Sequence, residues 1–298
     1  MNPNGWQAGT LVESPARPEW GPGKIVRVVP ERVYVIWRDR PGREAKAIVT
    51  SALRLAADQH DPVLDHLPPL IEKDGKLMLP TERITFQQAV NTFLARFPQG
   101  FQDPAYISDP ETGERDYKWA AHEYYVQHLG GGRFRELLRN DLPGLVQEVE
   151  RCISKVNLLY VTEAAALRDA LRDENAARSF FTRLADLLEA EKVTEQVFAP
   201  YAEAVCDLPA TRGRVATWPV ATILLFLAQP DRHLLLKPDV TSRAADSLGF
   251  QLNYRPEPNW LTYRCLLQMA EIYRDKLAPW KPVDLIDVQS FFWVACQG

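Results

Sequence analysis

The chain has 298 residues, of which 46% are apolar and 25% are charged, and its formal net charge is −4 at pH 7. These values predict a soluble globular protein of one large and one small domain or of two mid-sized domains. The negative net charge excludes nucleic-acid binding through a positive field of the whole protein, so any contact with DNA needs a local basic patch. The four cysteines form no CxxC pair, and we find neither an apolar run of about 18 residues nor a leader segment, so we expect a reduced, cytoplasmic protein with no metal, no cofactor and no membrane contact.

The first 57 residues have the pattern of a small β-domain. Short β-branched runs at 24–29, 32–37 and 44–49 are separated by turn residues, which predicts three or four strands. The segment PEWGPGKIV at 18–26 resembles the WGxGxV opening of bacterial Tudor-like or SH3-like barrels. Such barrels occur at the ends of repair helicases and in factors that contact RNA polymerase. The resemblance implies a docking module for nucleic acid or RNA polymerase, and a generic β-barrel with no assigned partner is the alternative.

Residues 58–80 are rich in proline and predict a linker with little structure of its own. From 81 to 298 the pattern is helical. Thr85 with Gln88 predicts a capping box, and Asp141 and Asn259 predict two further helix starts. We therefore expect an α+β protein, with a small N-terminal barrel at 1–57 and a large all-α domain at 81–298.

A basic turn lies between two predicted helices at 208–219. Thr211, Arg212, Gly213 and Arg214 follow a Leu-Pro pair, and an apolar helix opens soon after them. This order resembles the core of helix-hairpin-helix DNA glycosylases, in which backbone N–H groups at a helix start bind DNA phosphate. The resemblance implies that these four residues bind DNA, although the family usually has two glycines in the hairpin and this chain has one. A solvated basic loop is the alternative.

The same resemblance implies a catalytic residue at the head of the next helix. Asp239 falls close to the place of the family's essential aspartate, and a register anchored on Val240 puts Lys237 there instead. A carboxylate at this place would stabilise the cationic sugar or orient the attacking water. The lysine that bifunctional members carry soon after the hairpin is missing, which implies base removal without lyase chemistry. The alternative role for Asp239 is an ordinary helix N-cap.

Five residues are candidates for a pocket that holds an extruded base. Asn157 and Tyr160 lie in a segment that resembles the element leading into the base pocket of that fold, and Trp218 opens the helix after the hairpin. Gln289 lies among large apolar residues, and His122 follows a stretch of cations and aromatic rings that could stack a flipped base. The structural alternatives are a buried hydrogen-bonding group for Gln289 and a half-buried helix face for His122.

The leading functional hypothesis is a monofunctional DNA glycosylase that flips out and excises a modified or damaged base, in repair or in defence against modified foreign DNA. The alternative is a non-catalytic protein that binds DNA or RNA polymerase, and an enzyme unrelated to DNA is a third possibility. The Walker A, dinucleotide glycine, HExxH and GxSxG motifs are all missing. Their absence argues against a nucleotide-driven motor, a dehydrogenase, a zinc peptidase and a standard serine hydrolase.

Overall fold

The computed structural model describes residues 5–40, 42–61, 63–65, 67, 69–79, 84–211 and 213–296. The chain divides into two compact units. The first contains the described residues of Met1–Ala95, Val240–Gln251 and Ala295–Gly298, and the second contains those of Arg96–Asp239 and Leu252–Val294. A small antiparallel sheet near the N-terminal end, followed by a helical region, confirms the α+β class.

The first unit contains a five-stranded antiparallel sheet with the strand order β4-β3-β2-β1-β5. The strands are β1 Leu11–Glu13, β2 Gly23–Val29, β3 Arg32–Trp37, β4 Lys46–Val49 and β5 Arg54–Leu55. Strands β2 and β3 pair from Gly23 opposite Trp37 to Val29 opposite Arg32, in agreement with the runs expected at 24–29 and 32–37.

Alternate side chains of these strands form one hydrophobic core. Val33, Val35 and Trp37 point to the same face of β3, as the two-residue period of a strand requires, and all three are buried with Ile25. A Cβ atom on Gly23 would lie 2.5 Å from Val35 Cγ1 and 2.6 Å from Trp37 Cε3. Glycine at this position therefore leaves the space that these two side chains occupy.

A two-stranded hairpin lies within the segment expected to be a linker. Strands β6 Ile71–Lys73 and β7 Lys76–Met78 pair antiparallel, with Asp74 and Gly75 between them. Both turn residues have positive φ, 52° and 72°, which is the backbone that a two-residue hairpin turn requires and that Asp-Gly supplies. The segment differs from the structureless linker that its prolines predict, because the Asp-Gly turn and backbone bonds of residues 77 and 79 to residues 45 and 43 order it.

The described residues form twelve α-helices. They are α1 Phe86–Arg96, α2 Pro104–Ser108, α3 Asp116–Leu129, α4 Arg133–Asn140, α5 Leu142–Ser154, α6 Val161–Ala170, α7 Glu174–Glu189, α8 Glu195–Cys206, α9 Trp218–Ala228, α10 Pro238–Leu248, α11 Trp260–Leu277 and α12 Leu285–Ala295.

Three expected helix starts are confirmed by side-chain bonds. The Gln88 backbone N–H donates to Thr85 Oγ1 at 3.2 Å, and the Thr85 N–H donates to Gln88 Oε1 at 2.9 Å, which is a capping box. Asp141 accepts a bond from the Gly144 N–H at the head of α5, and Asn259 accepts one from the Thr262 N–H at the head of α11. These caps could be expected from the sequence because both partners lie within one helical turn.

Helix α9 lies at the centre of the second unit. Its side chains from Trp218 to Leu227 are all buried, and the helix packs against α3, α6 and α7. An α-helix that is apolar around its whole circumference is stable only when it is enclosed on all sides. The Tyr201 hydroxyl, which comes from α8, donates a hydrogen bond to the Ala221 carbonyl oxygen of α9 at 2.7 Å. This buried hydroxyl therefore has a hydrogen-bond partner.

Candidate functional site

A pocket of about 430 Å³ opens in the second unit next to Lys237, the residue that precedes α10. Its wall includes Lys237, Asn157, Trp293, Glu114 and Tyr117. The volume falls within the range of about 300–1,000 Å³ that small-molecule sites occupy. The wall thus combines an amine, an amide, a carboxylate and two aromatic rings in a space large enough for an organic ligand.

Lys237 lies close to two aromatic rings. Its Nζ atom lies 5.0 Å from the ring centroid of Tyr160 and 5.0 Å from that of Trp293, within the range of a cation–π contact. Burial lowers the pKa of the amine below its ordinary value of 10.5, and the Glu163 carboxylate acts in the opposite direction. A buried amine of lowered pKa can accept a proton or act as a nucleophile more readily than a solvated one.

Glu163 accepts hydrogen bonds from residues at the starts of two helices close to Lys237. Its Oε2 atom accepts a bond from the Tyr160 backbone N–H at 3.0 Å, and its Oε1 atom accepts one from Thr217 Oγ1 at 2.9 Å. Thr217 is the residue before α9, and Tyr160 is the residue before α6. The carboxylate therefore fixes the backbone that carries the Tyr160 ring, as well as acting on Lys237.

Another part of the pocket wall is built on a buried ion pair. Glu114, which is 7% exposed, accepts a bond from the fully buried Lys118 Nζ at 2.8 Å, and Lys118 also donates to Ser290 Oγ at 2.8 Å. The Tyr117 hydroxyl donates to the same Glu114 oxygen at 3.2 Å. Burial lowers the pKa of Lys118, and Glu114 opposes that shift. The two charges thus compensate each other where neither is well solvated.

A second buried network joins the chain before α3 to the head of α12. Arg115 donates to both carboxylate oxygens of Asp284 and, at 2.7 Å, to Asp287. Asp287 also accepts bonds from the Tyr106 hydroxyl and from the Val283 N–H. This network holds Arg115 and α12 together, and hence the neighbouring Glu114 and the helix that carries Trp293.

The predicted phosphate-binding turn has a different geometry from the one its pattern implies. Thr211, Gly213 and Arg214 are exposed, and Arg212 lies outside the described residues. Helix α9 begins only at Trp218, so its free N–H groups do not follow directly after Arg214. The Arg214 guanidinium donates to the Ala216 carbonyl at 3.1 Å and to the Pro256 carbonyl at 3.0 Å. These bonds fasten the turn to the segment before α11.

Asp239 is exposed and lies inside the first turn of α10, which begins at Pro238. It is therefore not the N-cap that the alternative interpretation describes, because the residue before this helix is Lys237. Burial raises the pKa of Tyr254, while Arg214 lowers it and Asp239 raises it. Both charges are thus within electrostatic range of one tyrosine.

Three of the expected base-pocket residues lie elsewhere in the second unit. Trp218 is buried in the core, where its Nε1 donates to the Arg255 carbonyl at 2.7 Å. His122 Nδ1 lies 2.8 Å from the Leu227 carbonyl oxygen, so the ring donates to α9. Gln289 is buried, and its Oε1 atom has no hydrogen-bond partner among the described residues. Only Asn157 and Tyr160 of the five lie at or beside the Lys237 pocket.

The sequence did not indicate Trp293 as a site residue, and it indicated Glu114 and Tyr117 only as part of a charged and aromatic stretch that could stack a flipped base. The dense run of charges and rings at 114–118 and the aromatic end of α12 are the signals that mark them. Both patterns are equally typical of a half-buried helix face, and only their approach to Lys237 gives them a common site.

Within the described ranges, no group of three or more His, Cys, Asp or Glu side chains is arranged to bind a metal ion. None of the helices in that part of the chain is both long and apolar enough to cross a bilayer. Comparisons with protein-family models, with curated proteins and with solved structures found no match to this chain.

Proposed function

We propose that the protein acts on DNA and that its helical unit is a monofunctional DNA glycosylase of the helix-hairpin-helix type. In this proposal a modified or damaged nucleotide is flipped out of the duplex into the Lys237 pocket, and its N-glycosidic bond is hydrolysed. The N-terminal sheet is the Tudor-like docking module for DNA or RNA polymerase. The function belongs to repair or to defence against modified foreign DNA.

One observation carries the proposal: a pocket of about 430 Å³ has the Lys237 amine in its wall, and the ring centroids of Tyr160 and Trp293 each lie 5.0 Å from that amine. Aromatic rings stack on an unpaired base of any sequence, because every base has a π-face. An enzyme that acts on a base needs such a pocket outside the duplex. The amine also lies immediately before α10, next to the position that the family resemblance indicates for catalysis.

The proposed hydrolysis needs one group that accepts a proton. The oxygen of water bonds to C1′ of the sugar while the C1′–N bond breaks, and the bonding electrons leave with the base. The proton of the water passes to Lys237 Nζ, whose lowered pKa leaves more of the amine neutral than in a solvated lysine. In this proposal Asp239, which is exposed, faces the bound DNA and does not activate the water.

Contact with the DNA backbone is proposed for the exposed turn at 211–214. Thr211, Gly213 and Arg214 are solvent-accessible, and Arg214 and Asp239 both act electrostatically on Tyr254. Arg212 is included on the basis of its charge and its place in the turn. A local basic turn is the kind of feature that a protein of net negative charge needs in order to approach phosphate.

The test is base release from defined duplexes. Full-length protein is incubated with duplexes that contain one damaged, methylated or glucosylated base, and abasic sites are detected as strand breaks after alkali. We expect breaks at the modified position for the parent protein and for Lys192→Gln, which changes an exposed lysine of the same unit. We expect a loss of at least about 100-fold for Lys237→Gln, the size of effect typical of a general base.

Asp239→Asn separates the two possible catalytic positions. The proposal expects it to reduce base release less than Lys237→Gln, because Asp239 is exposed and Lys237 lines the pocket. If the protein binds these duplexes but releases no base, the non-catalytic binding function takes the place of this proposal. If it neither binds these duplexes nor releases a base from them, action on DNA is ruled out.

A further inference from the structure

Glu114 presents one carboxylate oxygen to the pocket without a protein donor. Lys118 Nζ and the Tyr117 hydroxyl both donate to its Oε2 atom. Among the described residues nothing donates to Oε1, and this atom is not one of the buried polar atoms that are sealed from solvent. Since Glu114 belongs to the pocket wall, Oε1 is an acceptor that is available to a bound molecule.

The orientation of this acceptor is set before any ligand enters. Lys118 is 0% exposed and is held in turn by Ser290 Oγ at 2.8 Å, so Glu114 cannot swing away without leaving a buried ammonium group unpaired. The Tyr117 hydroxyl hydrogen is also directed at Glu114. The Tyr117 donor is therefore engaged with the carboxylate, and this part of the wall offers an acceptor.

An ionised carboxylate accepts hydrogen bonds and donates none. It can accept a hydrogen bond from the exocyclic amino group of cytosine or adenine. Uracil, thymine and hypoxanthine carry a carbonyl oxygen at the corresponding position, and this oxygen cannot donate a hydrogen bond to the carboxylate. A carbonyl oxygen facing Glu114 would place two acceptors together in a partly dehydrated pocket, which leaves both without a partner.

We infer that Glu114 selects the substrate, so that the Lys237 pocket takes bases with an exocyclic amino group, of the modified-cytosine or adenine class, in preference to bases with a carbonyl there. This inference rests on the proposed function. The pocket therefore distinguishes 5-hydroxymethylcytosine from 5-hydroxymethyluracil, which differ in the group at C4 and in the hydrogen that uracil carries on N3.

The experiment compares these two bases in the same duplex, each opposite an abasic analogue so that extrusion costs little. Affinity and the rate of base release are measured for the full-length protein. The parent protein should favour the amino base about 10- to 100-fold, the range expected for one well-made base contact. Glu114→Gln should abolish or reverse the preference, since its amide can donate to a carbonyl oxygen.

Glu203→Gln is the matched control, because Glu203 is an exposed acid of the same unit that does not line the pocket, and it should leave the preference unchanged. Equal handling of the two bases by the parent protein, or an unchanged preference in folded Glu114→Gln, overturns the inference while the proposed function stands. If neither base is bound or released, nor any other base in the wider panel, the proposed function fails and the inference fails with it. The comparison within the parent protein remains decisive even if Glu114→Gln does not fold.

Discussion

The Nζ atom of Lys237 lies 5.0 Å from the centre of the Trp293 ring. The lysine precedes α10 and the tryptophan lies in the last turn of α12, so two distant parts of the chain meet at one wall of the pocket. The contact brings a partly desolvated amine against an aromatic face. This pair is the basis of the chemistry proposed for the site.

The first prediction concerns the reactivity of the Lys237 amine. Its lowered pKa should let acetic anhydride modify it at a lower pH than a free lysine side chain, with N-acetyl-lysine amide as the reference. Glu163→Gln should move the midpoint lower still, since the Glu163 carboxylate favours the charged amine. Mass spectrometry of the labelled peptide gives the pH profile. A midpoint at or above that of the reference compound would contradict the prediction.

The second prediction concerns the buried His233. Its Nδ1 atom lies 2.6 Å from the Tyr263 hydroxyl oxygen, and burial, with a smaller effect of Arg232, lowers its pKa from 6.5 to about 3. Between these two values the unfolded chain binds a proton that the native protein does not. Stability is therefore fully present above pH 6.5 and falls as the pH is lowered toward 3, by up to about 1.4 kcal/mol per pH unit.

Urea unfolding between pH 7.5 and 4.5 measures this dependence, and His233→Gln is the variant that removes the titrating group. We expect the variant to be less stable at pH 7.5 but to show a shallower decline with acid. An identical slope in the two proteins would show that His233 is not the group responsible.

The third prediction concerns the Arg115 network. Asp287→Ala leaves the Arg115 guanidinium, the Tyr106 hydroxyl and the Val283 N–H without one partner each in a buried region. Breaking a buried ion pair in this way should lower the free energy of unfolding by about 3–5 kcal/mol. Glu13→Ala, which removes the half-buried partner of the exposed Arg54, should cost less than about 1 kcal/mol. Denaturant titration measures the free energy of unfolding of both variants. Losses of similar size in the two variants would refute the prediction.

The fourth prediction concerns Gly23 in β2. In Gly23→Ala the new methyl group would overlap Val35 and Trp37, whose side chains belong to the core of the sheet. We expect a loss of about 1–3 kcal/mol, the usual cost of overpacking a core. Thermal unfolding measures it through a lowered midpoint. An unchanged midpoint would mean that the sheet yields at this position without cost.

Much of the local structure followed from the sequence. The runs at 24–29 and 32–37 became paired strands, and the helix starts at Thr85, Asp141 and Asn259 carry the expected caps. These features depend on partners a few residues away, or on a period of two or of 3.6 residues. The hairpin at Ile71–Met78 was missed because the surrounding prolines outweighed a two-residue turn signal.

The site was less predictable for a physical reason. Asn157 and Tyr160 were expected near a pocket and lie there, whereas Trp218 and His122 satisfy their polar atoms on backbone carbonyls elsewhere. An aromatic or histidine side chain has the same local pattern in both situations. The two situations differ in the group that the side chain contacts from a distant part of the chain. Local residue spacing does not encode that contact.

The sequence by itself determined the class of the fold and the beginnings of many of its elements, because propensity and capping act over one or two turns of chain. Only the tertiary structure decided that Lys237, rather than Asp239, lines the pocket, and that Glu114 and Trp293 form its wall with it. Burial and hydrogen bonding between residues far apart in the chain set the charge and orientation of these groups, and both arise only when the helices pack.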